Sequence, residues 1–349
     1  KENAPRTWEQ VNELGHWDQC KLDGKIYVIP EDNYAQWINH GFMYRQDWAT
    51  EAGLTEGVHS WDDMGTYLQY IKDNKPDVIP WDAKGKDISL VTQLAGGWQA
   101  SHTDDIAIDG FGVSLFYGES KDDPYTLSRY YLEGDELVNF AKNQKAWADA
   151  GYWRTDVLNN ETDTRKAMYE GLTGVDQHHT QTWYTTVRPE MDKRQPGSDV
   201  GFFYFGEETQ NVVKMVITHG AMAVANKSQH PDVALQVYDE MRFNQEVYDL
   251  MQYGFEGEQY TINEDTDMLE WTEGYDNATN GVSFNFWAGR NDDLERKVST
   301  YAWDPYETLV EEYETFAIEY PYGQYVPDKS ELNQLSNLSN VYSTYMPQI

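Results

Sequence analysis

The sequence predicts an α/β protein, and three observations carry that prediction. Short apolar runs such as Lys25–Ile29, Val200–Phe205 and Val212–Ala225 read as strands. Between them lie stretches whose apolar residues recur every three or four positions, the period of a helix with one buried face. This alternation continues through both halves of 349 residues, a length with room for two domains and a sizeable core.

Composition narrows the class. The 26 basic and 60 acidic side chains leave a formal net charge of −34, which argues against nucleic acid or an anionic membrane surface as partner. The single cysteine, Cys20, excludes an internal disulfide and a cysteine-based metal cluster. It lies in WDQCKL, with no apolar run before it, and reads as a plain thiol. No apolar run approaches the ~20 residues of a membrane span, and no stretch of these residues reads as a signal peptide. The 13 Trp, 26 Tyr and 12 Phe are 15% of the chain, more than a core of Leu, Ile and Val needs. Trp and Tyr pair flat apolar faces with a polar handle, which suits amphipathic ligands such as sugars, although most of these rings must simply pack.

Taken in order, Asp23-Gly24 is a turn dipeptide leading into a strand at Lys25–Ile29 that Pro30 halts. Phe42–Tyr44 is a second strand, and Asp47 is placed to cap a helix start. Ser60 and Asp63 stand at capping-box spacing before Met64, Tyr67, Leu68 and Ile71, an i, i+3, i+4, i+7 face that Pro76 closes. Asp77–Trp81 reads as a strand and Ser89–Ala95 as a helix before Gly96-Gly97. Phe111–Tyr131 is aromatic and strand-like, with a turn at Glu119–Pro124. A helix from Asp135 to Ala150 has Leu137, Phe140, Ala141 and Ala148 inward and Gly151 at its C′ position. Asn160–Glu170 reads as a helix and Val175–Tyr184 as a strand. Pro231 suits the first position of a helix with Ala234, Val237, Tyr238 and Met241 inward. Asn244 caps another helix, which Gly254 closes. Asn263–Asp276 is hairpin-like, Ser283–Trp287 alternates as a strand, and the remainder is helical through Tyr301–Tyr320 and Asp328–Tyr345.

The pattern DGKIY.IP … GF.YR.D between Asp23 and Asp47 resembles the crossing segment of extracellular solute-binding proteins of ABC importers, in the lipoprotein branch common in Gram-positive bacteria. The likeness continues through residues 60–262 and returns at 324–349. It implies a two-lobed, periplasmic-binding-protein-like type II fold with discontinuous lobes joined by hinge strands. The first lobe would comprise 1–43 and 216–262, the second 44–215 and 263–349. It also implies that the chain is truncated at both ends, the missing N-terminal part supplying the opening strands of the first lobe. The function implied is capture of a carbohydrate, an oligosaccharide by preference, in an interlobe cleft and delivery to an ABC permease. The protein would be an extracellular monomer, anchored as a lipoprotein in its full-length form.

Catalytic motifs are absent: no GxSxG, GxxxxGK[ST], HExxH or GxGxxG occurs. Sixty carboxylates leave a glycoside hydrolase open as the alternative, beside an importer binding protein for peptides or another polar solute. No cofactor and no metal are expected. His178 and His179, adjacent on the expected strand, should point to opposite faces and share no ion. Asn263, Asp265 and Asp267 mimic a calcium loop but lack its Gly and Glu. Ligands of open α/β sheets bind beyond the carboxyl ends of strands, and aromatic and amide residues stand at such ends here. The ligand-binding candidates are Trp37, Asn39, Trp81, His179, Gln181, Trp183, Trp287, Arg290 and Asn291. His179, Gln181 and Trp183 would alternate along one strand face as a wall. The resemblance implies stacking of sugar rings on the Trp faces and hydrogen bonds from Asn, Gln, His and Arg to hydroxyls.

Overall fold

The computed structural model describes residues 1–31, 37, 40–108, 116–276, 279–282, 284, 286–300, 302–323 and 333–349, with Trp287 as backbone only. The chain forms two compact units, each built from separated segments. The first holds Lys1–Ala35, Met215–Val310 and Tyr322–Tyr325; the second holds Gln36–Lys214, Glu311–Pro321 and Val326–Ile349.

Strands β1 (Gly41–Arg45), β2 (Val175–His178) and β3 (Val200–Tyr204) form the sheet of the second unit. Their order is β2–β1–β3, with both pairings antiparallel. Because side chains alternate along a strand, the sheet has two distinct faces. Phe42, Tyr44 and Phe203 face a core made with helices α1 (Trp61–Asn74), α2 (Ile88–His102) and α3 (Glu136–Ala150). Phe202, on the other face, meets Trp183 from the helical run 180–194.

Local sequence accounts for most of these elements. Asp23 and Gly24 both take positive φ, 50° and 74°, and join the paired strands Lys21–Leu22 and Lys25–Ile26. The Ser60 hydroxyl accepts the Asp63 amide at 3.0 Å and starts α1, whose Met64, Tyr67, Leu68 and Ile71 are fully buried. Asp47 does not cap a helix. Its carboxylate grips the Arg45 guanidinium instead, at 2.8 and 2.5 Å. Helix α2 runs straight through Gly96-Gly97, where a Cβ on Gly97 would collide with the Phe205 ring. The expected helix over 160–170 begins only at Thr164, since the Asn160 amide is taken up by Asp82 at 2.7 Å.

One loop before α1 carries a pH-sensitive contact. His59 Nδ1 lies 2.6 Å from Glu207 Oε1 and Nε2 lies 2.9 Å from the Glu56 carbonyl. Both ring nitrogens face acceptors, so only the imidazolium can donate to both. The Glu207 hydrogen bond raises the His59 pKa to about 9, against burial, which lowers it. A raised pKa favours the folded state most below the unfolded value of about 6.5. The contribution is lost as pH rises through about 9. Urea midpoints should therefore fall between pH 7 and 10, and His59→Gln should flatten that fall; an equal fall in the variant would contradict the assignment.

In the first unit, α4 (Pro231–Phe243) begins at proline as expected, and Asn244 caps α5 (Gln245–Gln252) by accepting the Glu246 amide at 3.1 Å. Strands β4 (Tyr260–Ile262) and β5 (Leu269–Trp271) form the hairpin. Residues 263–310 were expected with the second lobe but pack here. Arg296 holds Asp249 of α5 at 3.0 Å, and Glu295 accepts the hydroxyls of Tyr248 and Tyr253 at 2.8 and 2.9 Å. Conversely, 41–43 belong to the second unit because β1 is hydrogen-bonded on both edges there.

Residues 212–225, expected as a strand, make only isolated bridges among the described residues, at Val213, Lys214 and Met222. A strand exists only where a neighbour takes its N–H and C=O groups, and among the described residues 29–31 and 318 do so at scattered positions rather than in a continuous ladder. Met222 and Val224 instead line an apolar groove of about 850 Å³ with Val237, Met241 and Phe284. Thus of the four residues expected as the inward face of α4, only Tyr238 is buried, together with Asp239 and Arg242, and all four of Ala234, Val237, Tyr238 and Met241 line an open groove. Arg242 is fully buried and donates to the carbonyls of Pro30 and Glu31 at 3.0 and 2.8 Å. Arg242→Met keeps the bulk but strips both carbonyls of a charged donor, an expected loss of about 2–3 kcal/mol in urea unfolding. A loss below about 0.5 kcal/mol would show that those bonds contribute nothing net.

No helix among the described residues is long and apolar enough to cross a membrane.

Candidate functional site

The end of the second unit's sheet gathers an unusual set of side chains. Gly41 pairs with His178 on one side and Tyr204 on the other, so the start of β1 and the ends of β2 and β3 share one row. A side chain at position 41 would collide with the Phe203 carbonyl and the Phe202 ring, so glycine is required there. His40, just before this row, stacks on His178 with ring centres 5.0 Å apart and planes 25° apart. His179 stands edge-on to both, 5.4 Å from His40 and 4.2 Å from His178. The Thr182 hydroxyl lies 2.9 Å from His178 Nδ1. All three histidines are half-buried.

Adjacent histidines share this cluster because the strand ends sooner than expected. β2 stops at His178, His179 precedes a helical turn, and 180–194 is helical with a π turn at Trp183–Val187. Pro189 cannot donate to the Thr185 carbonyl and would crowd it, which the wider turn relieves. The expectation of opposite faces therefore fails.

Among the described residues no group of three His, Cys, Asp or Glu is arranged to hold an ion. Burial lowers the His178 pKa to about 4, with Arg165 adding to the effect. His178 is therefore neutral near pH 7, one nitrogen donating and the other accepting. That pairing matches a hydroxyl, which also both donates and accepts.

The other expected site residues divide between cluster and core. His179 joins the cluster, and Gln181, 6% exposed, lies in the helical turn beside it. Trp37, Trp81 and Trp183 were expected to present stacking faces, but they are 1%, 2% and 4% exposed. Trp37 packs edge-on against Tyr313, and Trp81 does so against Phe42 and Trp153. Trp183 stacks on Phe202 and donates its indole N–H to the Val200 carbonyl at 2.9 Å. Arg290 is paired with Glu295 at 2.8 Å, and the Asn291 amide donates to the Arg242 carbonyl at 2.9 Å, so both brace the first unit. Asn39 lies outside the described residues, as does the side chain of Trp287 in the turn Trp287–Gly289. Sequence reasoning missed His40 and Thr182 and weighed His178 only as a metal ligand. The signal was the density of imidazoles, since His40, His178 and His179 are three of the eight histidines in the chain.

Solved structures share this fold. An N-glycan transport solute binding protein (NgtS) from Streptococcus pneumoniae matches over 98% of this chain and 74% of its own, with 15% identity and a TM-score of 0.68. The same protein in complex with Man5GlcNAc matches over 100% and 72%, at 16% identity and 0.63. An HMO-binding, ABC-transporter-associated solute binding protein from Bifidobacterium longum infantis matches over 99% and 74%, at 16% identity and 0.59. No family model and no curated protein matches the sequence. The chain thus has the two-lobed type II fold of substrate-binding proteins.

Proposed function

We propose that this protein is a carbohydrate-binding component of an ABC importer, capturing an oligosaccharide and passing it to a membrane permease without chemical change. The observation that carries the reading is the fold match along nearly the whole chain to binding proteins whose ligands are glycans. The hydroxyl-matched imidazole cluster at the end of the second unit's sheet supports it. Capture by closure of the two units, an extracellular location, a monomeric state and a lipid anchor belong to the same proposal.

Native mass spectrometry against a panel of plant and host oligosaccharides and short peptides tests it, with chromatography of the sugars afterwards. One-to-one complexes with an intact oligosaccharide are expected. Cleaved sugar would replace the reading with a glycoside hydrolase, and complexes with peptides alone would replace the ligand class.

A further inference from the structure

We infer that the His40, His178 and His179 end of the sheet selects an uncharged saccharide and disfavours uronates and sialylated glycans. The inference rests on the carbohydrate reading and narrows it to a chemical class.

The donors and acceptors come first. His178 Nδ1 and the Thr182 hydroxyl are hydrogen-bonded to each other at 2.9 Å. The second imidazole nitrogen and the remaining capacity of the hydroxyl oxygen can still give and take hydrogen bonds, which suits hydroxyls. A carboxylate only accepts, and it is best held by an arginine fork. Among the described residues every arginine of the second unit already pairs with a carboxylate, although Arg188 keeps a buried Nε without a partner. Arg45, Arg129, Arg154, Arg165, Arg188 and Arg194 each pair with a carboxylate, at 2.5–3.2 Å. Arg165 is the one whose charge is felt at His178. It is bonded at 2.7 Å to Asp176, which lies two residues before His178 on the same strand and is 6% exposed. Diverting Arg165 to an acidic ligand would strand a buried carboxylate, and losing one partner of such a pair is strongly unfavourable. The net charge of −34 adds a repulsion at longer range, which salt screens.

Titration calorimetry on the full chain tests this with paired probes. Xylotetraose is set against its glucuronic-acid-substituted form, and lacto-N-neotetraose against its sialylated form, each at low and high salt. The expected result is binding of an uncharged probe and at least about tenfold weaker binding of its acidic partner, with the gap retained at high salt. His178→Gln and His179→Gln should each weaken the uncharged probe about tenfold with unchanged melting. If a variant fails to fold, the imidazole ring-proton signals of the native protein serve instead and should shift with added sugar. Equal or tighter binding of the acidic partner overturns the inference and leaves the carbohydrate reading standing. A gap that vanishes at high salt also overturns it, as do unaffected variants or unmoved ring signals. No heat from any saccharide overturns both.

Discussion

Replacing Trp61 by alanine is expected to cost the second unit about 4–5 kcal/mol, near the top of the range for aromatic truncation in a core. Trp61 is 2% exposed and sits where the helices meet the sheet. Its ring lies 5.4 Å from Phe42, 5.3 Å from Trp98, 5.8 Å from Trp147 and 5.3 Å from Phe205. Its indole N–H donates to the Ser101 hydroxyl at 2.9 Å, and that hydroxyl in turn donates to the Phe205 carbonyl. Truncation removes four ring contacts at once and leaves a cavity walled by rigid aromatics that cannot collapse into it. Urea unfolding measured by circular dichroism should show the lower midpoint. Trp61→Phe, which keeps most of the packing and loses the hydrogen bond, should recover more than half of the loss. A cost below about 1.5 kcal/mol for the alanine variant would show that the site relaxes and that the ring contacts are not what holds the unit together.

Trp183→Ala is expected to cost about 3–4 kcal/mol and to leave ligand affinity unchanged when measured in the cold. The sequence pattern points the other way, to a stacking face on a ligand wall. Two contacts decide against that wall. The indole ring is covered by Phe202 and Tyr184, and its N–H is satisfied by the Val200 carbonyl. Tenfold weaker sugar binding with an unchanged melting temperature would return Trp183 to the ligand.

The segment around Trp183 shows why sequence reasoning succeeds and fails. Thr, Trp, Tyr and Val favour strands, and in 175–187 that preference outweighs a second pattern. Thr180, Trp183, Tyr184, Val187 and Met191 stand at i, i+3, i+4, i+7 and i+11, and all five are buried. Strand propensity masks that helical stripe, and with it the meeting of His178 and His179. In α1 the cap and the stripe agree with each other, and the structure obeys both. The run at 212–225 fails for a different reason: its composition is that of a strand, but pairing is a property of what lies alongside. His40 could not be placed from its own neighbourhood, because the residues it meets lie more than a hundred positions away.

A saccharide held at the histidine end of the second unit's sheet is the central claim. A crystal structure of the protein with a bound uncharged oligosaccharide tests it most directly. Sugar hydroxyls are predicted within hydrogen-bonding distance of His178 or His179, with Trp183 still stacked on Phe202. A saccharide lodged instead in the apolar groove of Met222, Val237 and Phe284, leaving the imidazoles untouched, would contradict it.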